Sequence, residues 1–237
     1  MKKIKKSTLA MLVTCLVLIP LTLYLGTFLS GRSYYITATL FIIELLIPFL
    51  MAFEGRKPQA RELVLIAIMC AIAIVGRVAI PIPHVKATFA IIFISGIAFG
   101  PETGFMIGAV TAFASNFFYG QGAFTPWQMM AYGAGGMLAG FLFKKKRLPR
   151  NPPVMAIFGF FAVLLWVGPL LDCSGLFLMA PTVSFSWIVS YFAAGFPINL
   201  SQAISTVVIM LVFGKPLLDI LDRIRRKYGM QENEPEV

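Results

Sequence analysis

The sequence predicts an all-α integral membrane protein, one bundle of apolar helices that crosses a bilayer about eight times. Three observations predict it. Hydrophobic residues make up 59% of the 237 and charged ones 13%, where water-soluble domains carry roughly a quarter charged. Apolar stretches near the ~20-residue length of a spanning helix recur along the chain, cut at charged or Pro/Gly-rich breaks. If the N-terminus is inside, all of the 20 Lys and Arg except Arg32, Arg77 and Lys86 fall in cytoplasmic segments, which is the asymmetry of the positive-inside rule for an even number of spans.

The elements follow in order. Leu9 to Phe28 comes after Lys2, Lys3, Lys5 and Lys6, a basic start like that of a signal peptide. Its apolar run is long for such a segment and no small-x-small cleavage site closes it, so it reads as a retained helix. Tyr35 to Phe53 follows and carries Glu44. Leu63 to Ile80 holds Ala67 and Ala71, a small-xxx-small pair that lets another helix approach, and Arg77 near its outer end. Arg77 either snorkels to the headgroups or serves a function, because charge is costly in hydrocarbon. Ala87 to Phe99 and Gly104 to Tyr119 are short, with a sharp turn at Gly100-Pro101. Trp127 to Phe143 is expected to be capped by Thr125, with Pro126 at the first helical position. Val154 to Leu171 ends before Asp172, and Trp187 to Phe213 is the last apolar stretch.

From Lys215 onward Leu217, Leu218, Ile220, Leu221 and Ile224 alternate with charges at helical spacing. This reads as an amphipathic extension lying at the cytoplasmic interface, followed by an acidic, disordered end. The chain thus divides into two N-terminal helices (1–56), a six-helix membrane core (57–214) and a cytoplasmic tail (215–237). Both termini are expected in the cytoplasm.

The chemistry of enzymes is poorly represented. There is one histidine, His84, in a loop, and no HExxH, GxSxG or paired acidic motif. Cys15, Cys70 and Cys173 have neither zinc nor disulfide spacing. No cofactor or metal is expected. Without a Walker loop the chain does not itself hydrolyse ATP by the usual route. Anionic lipid and the insertion machinery account for the net positive charge, so nucleic acid is not a needed partner.

The outer loop from Ser115 to Gln128 carries the unusual content. Gly120 and Gly122 permit a tight turn, flanked by Phe118, Tyr119 and Trp127 and by three neutral amides, Asn116, Gln121 and Gln128. Aromatic belts explain the rings but not the amides. Together these residues describe a site that stacks a flat apolar surface and hydrogen-bonds amides or hydroxyls. The loops at Ile80 to Lys86 and Asp172 to Ser186 are placed to close over it.

From Arg61 to Tyr228 the chain resembles the substrate-binding S components of energy-coupling factor (ECF) vitamin transporters. The resemblance lies in Ala67-x-x-x-Ala71, the Arg77 to Pro83 segment, Gly96-x-x-Phe99-Gly100-Pro101-x-x-Gly104, the Asn116 to Met129 motif, Gly195-x-Pro197-x-Asn199 and Gly214-Lys215-Pro216. It implies a six-helix core in the plasma membrane that captures a vitamin from outside and docks on a transmembrane coupling subunit with two ATPases. It also implies that Ala67 and Ala71 face the coupling subunit and that the first two spans are additions. The central motif looks closest to cobalamin-type members. On this reading Asn116, Phe118, Tyr119, Gln121, Trp127 and Gln128 line the site, with Arg77, His84 and Asn199 contributing. The alternatives are a stand-alone secondary transporter or channel, which calls for inverted repeats and midplane charges, and an intramembrane enzyme using His84.

Overall fold

A computed structural model of the chain describes residues 60–80, 82, 84–143, 147–179 and 184–227, with scattered positions between 21 and 51, and among these every regular element is helical. The helices are α1 (Ala60–Val78), α2 (Thr88–Phe99), α3 (Pro101–Tyr119), α4 (Thr125–Phe143), α5 (Pro152–Ala162), α6 (Gly168–Met179) and α7 (Phe185–Lys227). A π-helical turn, Val163–Val167, joins α5 to α6 without a break. Among the described residues from 60 onward the result is six rods, one for each of the six later apolar stretches, but the fifth runs on to Met179, so that Asp172, expected to open an outer loop, lies inside α6.

Local chemistry explains the joints. Gly100 turns the chain from α2 into α3 at φ 93°, a left-handed value that glycine adopts freely, and Pro101 follows at the start of α3, where its missing N–H is no loss. Asn151 starts α5 by accepting the Val154 N–H on its side-chain oxygen at 3.1 Å.

All twelve residues of α2 are buried. A helix of that length rises only ~18 Å, short of the ~30 Å hydrocarbon layer. It is instead the hub, packed on α1, α3, α4 and α7. This explains why its sequence is apolar all round, with no polar face. Its Phe93 meets Phe158 edge-on at 5.4 Å, and Phe89 meets Tyr132 at 4.9 Å.

The α3–α4 seam runs backbone against backbone. A Cβ on Gly104 or Gly136 would strike the other's carbonyl, one on Gly108 would strike that of Tyr132, and Gly96 of α2 faces Gly136 in the same way. Small residues are how helices associate in lipid, where the hydrophobic drive between them is missing.

The burial pattern is inside-out. Ser95, Thr111, Ser115, Asn116 and Thr206 are fully buried, whereas Val64, Ile157, Leu165 and Phe213 are each more than half exposed. Such an apolar exterior suits lipid. The stretches Pro152–Leu178 and Phe185–Lys227 are long and apolar enough to cross a membrane.

The C-terminal segment packs onto the end of the bundle. Helix α7 runs unbroken through Pro197 and Pro216 to Lys227. Leu218 and Leu221 are buried in the main core, Arg225 donates to the Ala98 carbonyl, and Asp222 pairs with Arg150 at 3.6 Å. The apolar stripe finds the base of the bundle because the helix before it points there. Most of the first expected span and much of the second lie outside the described residues. Within the second, Ile42 and Leu46 pack against Phe105, Ala109 and Trp127 of the core.

Candidate functional site

One end of the bundle carries a continuous polar network built from α1, α3, α4 and the α3–α4 turn. Arg77, in the last turn of α1, donates to Asn116 Oδ1 at 3.0 Å and to Ser115 Oγ. Its guanidinium lies over the rings of Tyr119 and Tyr132, 5.0 and 5.5 Å from their centroids. Tyr119 donates its hydroxyl back to the Arg77 carbonyl at 2.9 Å. Of the two roles open to Arg77, this geometry is that of a residue turned onto its neighbours in the bundle. Among the described residues no carboxylate pairs with it.

Asn116 is the fully buried centre. Its amide donates to Gln128 Oε1 at 2.8 Å and to Thr125 Oγ1 at 3.2 Å. The Thr125 hydroxyl donates to Gln121 Oε1 at 2.9 Å, and Gln121 donates to the Phe113 carbonyl at 2.9 Å. Thr125 therefore does not cap its own helix as expected. Its oxygen accepts the Gly122 N–H at 3.2 Å and closes the turn, whose corner is Gly120 at φ 95°. The bonds run one way, and what they leave unspent are donors: among the described residues nothing accepts from Gln128 Nε2.

A second cluster lies on α6 and its neighbours. Trp127 is buried and stacked on Phe177 at 5.5 Å, and its indole N–H has no partner among the described residues. On the other side of α6, Asn199 of α7 donates to Asp172 Oδ2 at 2.7 Å. Helix α6 thus stands between Trp127 and Asn199, touching one through Phe177 and the other through Asp172.

Arg77, Asn116, Tyr119, Gln121 and Gln128 are brought together, and Trp127 and Asn199 sit in the second cluster. Phe118 is 68% exposed and points away. His84 is exposed, at φ 61°, in a loop held by Lys86 bonds to the Ile80 carbonyl and to Ser205 of α7. Neither joins the network. Sequence reasoning missed Ser115 and Tyr132 in the network and Phe177 beside Trp127; Ser115 stands next to Asn116, a signal that was in view. An apolar groove of about 310 Å³ between α5 and α7, lined by residues such as Ile157, Phe160, Phe161 and Leu211, lies apart from all of these polar groups.

The model of one protein family, described as ECF-type riboflavin transporter, S component, matches residues 57–218. No curated protein and no solved structure matches the chain. The matched range takes in five of the six rods and all of α7 but its last turns. It bears out the energy-coupling factor resemblance, while the vitamin in the family's description is riboflavin and not cobalamin. An apolar, all-helical membrane bundle with its polar groups gathered inside is what a substrate-specific subunit of such an importer requires, and on the extent of the match this chain belongs to the ECF-type riboflavin transporter S component family.

Proposed function

We propose that the protein captures riboflavin, or a close flavin relative, outside the cell and delivers it inward with a coupling subunit and two ATPases. The family match supports the flavin class, and the network at the Arg77 end supports it chemically. A flavin ring is flat, with two carbonyls and ring nitrogens as acceptors, one imide N–H, and an uncharged hydroxylated chain. The site offers the half-exposed ring of Tyr119, a free amide donor on Gln128, and a guanidinium held by neutral partners. A charged donor is the stronger partner for a carbonyl.

Orientation follows from charge. Arg147, Arg150, Arg225 and Arg226 belong to the opposite end of the bundle, and the positive-inside rule assigns that end to the cytoplasm. The flavin site then faces outward in the plasma membrane, with both termini inside. Ala67 and Ala71 lie on an exposed apolar face of α1 with Val64, Ile68 and Val75, suited to close approach by the coupling subunit.

The observation that carries the reading is the half-buried Arg77 held by Ser115 and Asn116, with no carboxylate on it among the described residues. Flavin fluorescence quenching on purified protein, with cobalamin and pyridoxine in the same panel, tests it. Saturable quenching by riboflavin is expected; a protein that binds none of the panel, or cobalamin alone, overturns the flavin assignment.

A further inference from the structure

The Asp172–Asn199 pair exists because of a helix irregularity. Gly159 of α5 faces Met210 and Thr206 of α7, and Gly168 of α6 faces Asn199 of the same helix. Nine residues separate these glycines, which in a regular α-helix at ~100° per residue is about half a turn out of phase. The π turn between them, closed by the Gly168 N–H on the Val163 carbonyl, inserts one residue. It reduces the mismatch to less than roughly a quarter turn. Without it the Asp172 side of α6 would swing away from α7.

Two glycines then make the room. A Cβ on Gly195 would collide with the Asp172 carboxylate, and one on Gly168 would collide with the Asn199 amide. Three features of this helix pair, the π turn and two glycines, thus serve a single hydrogen bond of 2.7 Å in a site where Asn199 is 5% exposed.

That bond fixes the chemistry of Asn199. A carboxylate only accepts, so it holds the amide's NH₂ and leaves Oδ1 turned the other way. Among the described residues nothing donates to Asn199 Oδ1. We infer that Asp172 is a positioning residue for ligand capture: it locks Asn199 as an acceptor, so that this side of the site takes a hydrogen-bond donor of the ligand. This rests on the flavin reading above, and complements it. The Arg77–Gln128 side offers donors to the ring's acceptors, whereas Asn199 receives either the imide N–H or a side-chain hydroxyl.

The test compares the full-length protein with Asp172→Asn, whose amide no longer forces one orientation on Asn199, and with Asp172→Ala. The probes are riboflavin, 3-methylriboflavin, which lacks the imide N–H, and lumichrome, which lacks the hydroxylated chain. The expected result is a roughly tenfold loss of riboflavin affinity in Asp172→Asn at an unchanged melting temperature. The loss should vanish for whichever analogue lacks the donor that meets Asn199. Equal losses for all three probes mean that Asp172 is merely structural and overturn the proposal, as does an Asp172→Asn protein that binds like the parent. If Asp172→Ala lowers the melting temperature, the Asp172→Asn comparison still decides. A parent protein that binds no flavin overturns the flavin reading and this inference together, an outcome distinct from the other two.

Discussion

Two helix seams in this molecule use glycine for opposite ends. Between α3 and α4, Gly104, Gly108 and Gly136 are spent on backbone contact, and nothing fits between the helices. Between α6 and α7, Gly168 and Gly195 are spent on a polar pair, Asp172 and Asn199. The first seam is a rigid joint and the second a socket with side chains in it. Close packing in lipid does not by itself mark a site; what fills the space does.

The same substitution should therefore behave differently at the two seams. Gly136→Ala puts a methyl into the Gly104 backbone, which has nowhere to go, and an overpacking cost of about 3 kcal/mol is expected. Thermal unfolding in detergent should show a large fall or no folded protein; a melting point unchanged from the parent breaks the contrast. A third set of small residues, Ala67 and Ala71, has no described part of this chain against it. Ala67→Leu with Ala71→Leu should leave flavin affinity intact and lower uptake about tenfold or more in cells expressing the coupling module, because helix approach through small residues is lost. Uptake at the parent rate would separate α1 from the coupling surface.

Smaller effects sharpen the comparison within the site. Arg77→Gln keeps a hydrogen-bonding amide but removes the charge, and a roughly tenfold weaker flavin affinity by quenching is expected. An unchanged affinity would reduce Arg77 to a structural strut for Asn116. Gly168→Ala should cost only ~1 kcal/mol of stability, since the Asn199 amide can shift where backbone cannot, yet weaken flavin binding a few-fold. Equal damage from Gly168→Ala and Gly136→Ala to stability would show the two seams to be alike.

Part of the site was legible because it is local. Asn116, Tyr119, Gln121, Thr125 and Gln128 lie in one short run around a glycine turn, and the hydrogen bonds that join Asn116, Gln121, Thr125 and Gln128 to one another span no more than twelve residues. The role of Thr125 was misread because its hydroxyl has two uses, capping and turn closure, which the sequence presents identically. Phe118 follows Asn116 by two positions, which on a helix turns it to another face. Ring-rich composition cannot report that rotation.

Sequence alone determined the corner at Gly100-Pro101 and the six apolar helical stretches from Leu63 onward, since apolar run length and turn chemistry act between near neighbours. The tertiary structure decided that Arg77 meets Asn116, 39 residues away, that Asp172 meets Asn199 across 27, and that the helical part of the charged tail is the base of the bundle. These depend on how each helix is rotated about its axis. That rotation is set by small residues on the facing helix and by one inserted π residue, and the pattern of a single segment does not carry it.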